Sequence, residues 1–103
     1  MDPAGMPPNI EAVVRLRLYI ARSTPNSVRA ERNLMAVLGG LKAGCTLPTL
    51  EVIDVFSQPK RAILDRIIVT PTLLCLFKKS RITLIGDLAD LNHLECVIQN
   101  LAY

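Results

Sequence analysis

Three cysteines, one histidine and nine acidic residues are the side chains with which this sequence could do covalent or acid–base chemistry. Cys45, Cys75 and Cys96 are too far apart for a CxxC redox pair, and their odd number leaves no complete disulfide set. Reduced thiols are the simplest expectation. One histidine and dispersed thiols fall short of a metal site. The sequence places neither a nucleophile nor an orienting acid beside His93, so a packed or solvent-facing imidazole is expected. Asp54, Asp65, Asp87 and Asp90 are scattered, and helix capping or surface charge accounts for them. Gly39-Gly40 lacks the following Lys-Ser/Thr of a phosphate-binding loop. No catalytic residue, cofactor site or metal site is expected. A binding role is the better inference.

The segment Ile68-Val69-Thr70-Pro71-Thr72-Leu73 carries a different signal. Proline cannot donate to a strand ladder, so Pro71 is expected at a strand entry. A structural cis bond and an ordinary strand-opening proline both fit that position.

The elements around these residues follow from periodicity. Residues 1–11, with three prolines and a glycine, read as a disordered lead-in to a single domain over residues 12–103. Val14 to Ile20 alternates with period two and predicts a strand. Ser23, Thr24 and Pro25 predict a helix start, Val28, Leu34, Met35, Leu38 and Leu41 its stripe, and Gly39-Gly40 its stop. Leu50 to Phe56 is nearly all apolar, as in strands covered on both faces. Ser57 and Pro59 open a short helix ending near Ile67. Thr72 to Phe77 and Ile82 to Ile85 form a hairpin across Lys78-Lys79-Ser80-Arg81. Leu91, Leu94, Val97, Ile98 and Leu101 make a last helix, with Asp87 and Asp90 favouring its N-terminus.

The order is βαβαββα. Two crossovers are expected to give parallel strands, and the hairpin an antiparallel pair. The arrangement resembles the thioredoxin type, an α/β fold with a mixed four-stranded sheet and a characteristic proline before the third strand, at Pro71. A thioredoxin-type oxidoreductase needs a low-pKa cysteine at the start of the first helix. The loop Ala21 to Ser27 has none, and Cys75 and Cys96 fall in a strand and the last helix. Disulfide chemistry is not expected.

Composition sets the remaining limits. At 103 residues, half of them hydrophobic and only four aromatic, the chain predicts one core of Leu, Ile and Val. A net charge of +3 with scattered arginines and few aromatics gives little support to nucleic-acid binding. No run approaches the ~18 apolar residues of a membrane span. No basic segment followed by an apolar run opens the chain, so a cytoplasmic location is expected.

Five segments together resemble the KaiB family: Leu16 to Ala21, Ser23 to Ala30 with its TPNSVRA block, Val52-Ile53-Asp54-Val55, Thr70-Pro71-Thr72-Leu73 and Ile85-Gly86-Asp87-Leu88. The resemblance runs from about Val14 to Leu101. It implies a non-enzymatic clock protein that docks on the hexameric RecA-like ATPase KaiC, linked to that ring's phosphorylation and nucleotide state. KaiB-like modules also occur as sensor domains of histidine kinases, which makes a histidine kinase an alternative partner. The family switches between a thioredoxin-like monomer that binds KaiC and an oligomer, commonly a tetramer, with a rearranged C-terminal half. A homo-oligomer, dimer or tetramer, in equilibrium with monomer is thus expected. Val97 and Gln99 stand where the family's alternative state is associated with Gly and Asp, and Lys78-Lys79-Ser80 replaces a proline cluster. Both departures favour the thioredoxin-like form. Arg29 and Arg66 match basic positions of the family, and Arg32 lies one helical turn after Arg29. The resemblance makes these three candidate partner contacts; solvated helix residues are the alternative reading. Glu51 and Cys75 stand where typical relatives carry lysine, which bears on affinity for a standard KaiC.

Overall fold

The computed structural model describes residues 13–41 and 47–102. The expected tail, residues 1–11, lies outside them, as does Cys45. Strand β1 (Arg15–Ile20) forms where the alternation requires it. Leu16 and Leu18 are buried on one face, and Arg15, Arg17 and Tyr19 point to the other.

Helix α1 (Pro25–Gly39) opens with its proline in the first turn and closes at Gly40. Ala30, Leu34 and Val37, at spacings of four and three, turn inward. The expected hydroxyl cap is not made, because Thr24 has no side-chain capping bond. Its hydroxyl instead meets the buried Ser27 Oγ at 2.8 Å, and Ser27 Oγ accepts the Ala21 N–H at 3.1 Å. Satisfying a buried serine takes precedence over capping.

The strands form one sheet in the order β2-β1-β3-β4. Strand β2 (Thr49–Asp54) runs parallel to β1 at one edge, with Leu18 opposite Val52. The expectation that β2 is covered on both faces is therefore corrected. At an edge only Ile53 is buried, and Phe56 sits exposed in the following turn.

Helix α2 (Pro59–Leu64) has only six residues, and Gln58, not Ser57, occupies its capping position. Residues 65–71 then carry the chain back along the sheet before β3 (Thr72–Phe77) begins opposite Tyr19. As a result β3 runs antiparallel to β1, which corrects the expected second parallel crossover. A six-residue helix followed by a seven-residue return reverses the direction that a longer helix alone would have kept. Strand β4 (Ser80–Ile85) pairs with β3 from Phe77–Ser80 to Thr72–Ile85, so the connection is the two residues Lys78-Lys79 and not four. Lys78 takes a φ of 53° to make that tight turn.

Helix α3 (Leu91–Ala102) starts on Asp90, whose Oδ1 accepts the His93 N–H at 3.1 Å. Leu94 and Ile98 meet Ala30, Leu34, Leu16, Leu18, Leu73 and Cys75 in the larger core. Thus α1 and α3 cover one sheet face, and α2 lies alone on the other. There the core is only Tyr19, Ile53, Ala62 and Leu74, with Val55 and Ile67 beside them. This is the thioredoxin-like packing of the C-terminal half, without the rearrangement that the resemblance allows.

Candidate functional site

The α2 face concentrates the unusual features. Ala62 is the buried residue of the helix, and Ile63 and Leu64 stand outward at 74% and 79% exposure. Ile68 beyond them is 93% exposed. Val69 and, at the end of β4, Ile85 are also exposed. Four of these five side chains fall within residues 63–69, a concentration that suits an interaction surface if they form one patch. Sequence reasoning missed it. The signal was present, since Ile63-Leu64 and Ile67-Ile68-Val69 supply more apolar side chains than a six-residue helix with one inward face can bury.

The turn that ends α2 has a defined geometry. The Arg66 N–H donates to the Ile63 carbonyl at 3.1 Å, and the Ile67 N–H reaches back to the Ala62 carbonyl at 2.8 Å. Those two bonds make a Schellman motif, in which the residue between is left-handed and is usually glycine. Here it is Arg66, with a φ of 58°. A side chain in that conformation costs roughly 1–2 kcal/mol. Non-glycine residues held there concentrate at functional sites.

Asp65, just before this turn, is a polar hub. Arg17 Nη1 donates to its two carboxylate oxygens at 3.2 and 3.0 Å, and the Tyr19 hydroxyl donates to Oδ2. That hydroxyl also lies 3.2 Å from the Arg61 carbonyl. Arg81 Nη2 donates to the Asp65 carbonyl oxygen. Alongside, the Arg61 guanidinium grips the Glu51 carboxylate, with Nη2 2.7 Å from Oε1. Burial by itself would raise the Asp65 carboxyl, but the hydrogen bonds from Tyr19 and Arg17 and the charges of Arg17 and Arg81 outweigh it and hold it below the ordinary carboxylate range. Burial, then the Asp65 hydrogen bond, pushes the Tyr19 phenol up to about 12. Glu51 is lowered, first by its hydrogen bond from Arg61.

An aspartate at a helix C-terminus faces the negative end of the helix dipole. The arginines around Asp65 reverse that preference. They also explain how so short a helix is held. One methyl-sized side chain such as Ala62 contributes about 0.8 kcal/mol of burial. Each hydrogen bond to a charged group contributes about 1.5–3 kcal/mol. The polar hub is the larger anchor.

The arginines singled out from the sequence do not converge. Arg66 is exposed on the α2 side. Arg29 and Arg32 are exposed on α1, across the sheet. Arg29 donates to the Asn26 side chain and lies 3.4 Å from the Asp87 carboxylate. Asn33 holds the same loop through the Asp87 carbonyl at 2.8 Å. The Thr70–Pro71 bond is cis, and the carbonyl of the buried Pro71 accepts the Gly86 N–H at 3.0 Å. Gly86 has a φ of 107°, which a side chain would resist.

The loop from Ala21 to Ser27, where a thioredoxin carries its nucleophile, presents Thr24, Pro25 and Asn26 toward Thr70. Cys75 is buried, and burial pushes its thiol up to about 12. Cys96 is exposed on α3. Among the described residues no group of three or more His, Cys, Asp or Glu could hold a metal, and no helix is long and apolar enough to cross a membrane.

Architecture and site together define a thioredoxin-like domain whose α2 side carries exposed apolar side chains beside a part-buried polar hub. Solved structures agree on the fold. The N-terminal domain of SasA from Synechococcus elongatus superposes with a TM-score of 0.72 at 23% identity, covering 98% of this chain and 90% of that one. A thioredoxin from Halobacterium salinarum gives a TM-score of 0.72 at 18% identity, over 87% and 75%.

Residues 17–99 match the KaiB domain, and the chain belongs to the KaiB family. Its relatives include the circadian clock oscillator protein KaiB of Prochlorococcus marinus strain MIT 9312, 43% identical over 75 residues, or 73% of this chain and 70% of that protein. The protein of that name from Rippkaea orientalis is 40% identical over 82 residues, or 80% and 77%.

Proposed function

We propose that this chain is a non-enzymatic timing adaptor that docks on a KaiC-like ATPase ring through its α2 face and modulates the ring's phosphorylation state or output. The observation that carries this reading is Arg66, held left-handed at the exit of α2 amid the exposed Ile63, Leu64 and Ile68. A cation rimmed by exposed apolar side chains fits an acidic-edged apolar surface on a partner. Membership of a family of clock proteins supplies the candidate partner. The non-enzymatic reading draws on the cysteine-free loop before α1 and on the burial of Cys75. Arg29 and Arg32 form a second basic surface on α1. The chain acts in the cytoplasm, where the ring would be met, as a monomer in exchange with a dimer or tetramer.

The test is direct binding of the purified protein to a purified KaiC-type hexamer loaded with ATP and then with ADP. A complex whose affinity depends on the nucleotide, and which Ile68→Asp weakens at least about tenfold, is the expected result. No complex in either nucleotide state overturns the reading. Binding to an isolated histidine-kinase sensor domain in its place would assign the surface to that alternative partner.

A further inference from the structure

Arg66 is the residue on which docking is proposed to turn. Its N–H and that of Ile67 bond back to α2 in a motif usually closed by glycine, so an arginine there carries a conformational cost that further contacts can offset. The neighbour on its N-terminal side makes such contacts at both ends. The Asp65 carboxylate is fixed by Arg17 and Tyr19 from β1, and its carbonyl by Arg81 from β4. Four hydrogen bonds from two strands thus hold Asp65, three on its carboxylate and one, from Arg81, on the carbonyl of the peptide that enters Arg66.

We propose that Asp65 is the positioning residue of the docking surface: by anchoring the end of α2 to β1 and β4 it fixes Arg66 in its left-handed conformation and sets Ile63, Leu64 and Ile68 around it. The inference rests on the reading of Arg66 as a docking contact. Asp65 itself faces inward, its side chain only 17% exposed, and acts through its neighbour. The charged and titratable groups facing it are Arg17 and Tyr19 on β1, Arg61 on α2 and Arg81 on β4, with Glu51 beyond Arg61. None of the bonds from β1 and β4 is local in sequence. Arg17 and Asp65 are 48 residues apart, so the surface exists only in the assembled sheet.

Tyr19→Phe is the informative variant. Tyr19 is fully buried, so losing its hydroxyl removes a bond to Asp65 without touching anything a partner could reach. Amide hydrogen exchange in the free protein is the first readout. Tyr19→Phe and Asp65→Asn should speed exchange at Arg66 and Ile67 by about tenfold while changing Leu18 and Leu73 less than about twofold. Affinity for the KaiC-type hexamer is the second. Tyr19→Phe should weaken it about fivefold in the wild type and not at all in an Arg66→Ala background, a non-additivity that general destabilisation would not produce.

Unchanged exchange at Arg66 and Ile67, or equal acceleration at every amide, overturns positioning by Asp65. So does an additive loss in the double variant. An Arg66→Ala affinity equal to wild type overturns the docking reading instead, and the exchange data still decide whether Asp65 holds the turn. If Asp65→Asn fails to fold, the exchange pattern of Tyr19→Phe alone decides between these outcomes.

Discussion

Arg29 and Arg66 lie on opposite sides of the four-stranded sheet. Arg29 belongs to α1, whose Ala30 and Leu34 pack on the face carrying Leu16 and Leu18. Arg66 follows Asp65, which is bonded to Arg17 and Tyr19 on the other face. A partner surface pressed against one of these arginines is therefore separated from the other by the thickness of the domain. Arg66→Ala is expected to weaken ring binding about five- to tenfold, and Arg29→Ala less than about twofold. Titration by biolayer interferometry at two salt concentrations separates them, because the Arg66 contact should also flatten the salt dependence when removed.

Replacing Arg66 with glycine should separate stability from docking. Glycine relieves the roughly 1–2 kcal/mol left-handed cost of a side chain and loses roughly 0.5–1 kcal/mol in chain entropy, so Arg66→Gly is expected to raise unfolding stability by roughly 0.5–1 kcal/mol. The same change removes the guanidinium and weakens the complex as Arg66→Ala does. Urea unfolding beside a binding isotherm reads both effects. A less stable Arg66→Gly protein would count against a left-handed residue at this position.

Acid should act through Asp65. Its folded-state pKa is depressed below the ordinary carboxylate value of about 4. The stabilisation it supplies is therefore complete above that ordinary value and is lost as the pH falls through the depressed one. The gap in melting temperature between wild type and Asp65→Asn should be constant from pH 7 to about pH 5. It should narrow as the solution is taken below about pH 4. Glu51→Gln removes a more exposed carboxylate and should leave a much smaller gap throughout.

The thiols should behave as structural and surface groups. In a Cys45→Ser background, Cys96 should react with a thiol reagent in the native protein and Cys75 only on unfolding, since Cys75 is buried and its thiol is pushed up to about 12. Cys75→Ser places a hydroxyl in the apolar core beside Leu16 and Leu73 and should cost about 1–3 kcal/mol. Cys96→Ser should stay within about 0.5 kcal/mol of wild type. Reagent titration and denaturant melts check the four statements.

What the sequence made legible depended on the range of the interactions. β1 could be read because its two faces meet different surroundings, so Leu16 and Leu18 alternate with Arg15 and Arg17. α1 and α3 could be read as helices because each buries one stripe, but the α1 stripe is Ala30-Leu34-Val37. Of the expected set Leu34 is buried and Leu38 and Leu41 pack beside it, while Val28 and Met35 are exposed because the face that meets the sheet is turned toward Ala30. The TPNSVRA and IGDL blocks carried the family. β2 misled because an apolar run at an edge looks like one in the middle of a sheet, and only its neighbours distinguish the two. The direction of β3 was hidden by where α2 stops, since Ile67 continues the apolar pattern past the helix end and packs as the residue after the turn. The Asp65 hub was invisible for a different reason. Arg17, Tyr19, Asp65 and Arg81 each read as ordinary alone, and only the folded sheet brings them within hydrogen-bond distance.

The lysines among the described residues are Lys60 on α2 and the pair Lys78-Lys79 in the β3–β4 turn, with none on α1 or α3. Lys60 lies one helical turn before Ile63 and Leu64, at the border of the proposed docking surface. Among the described residues, amine-reactive labels therefore report on α2 and the hairpin and on no position within α1 or α3. A footprinting or cross-linking experiment on an assembled complex would register shielding at Lys60, whereas no lysine within α1 stands beside Arg29 or Arg32. Mapping the second basic surface calls for chemistry directed at guanidinium or carboxylate groups.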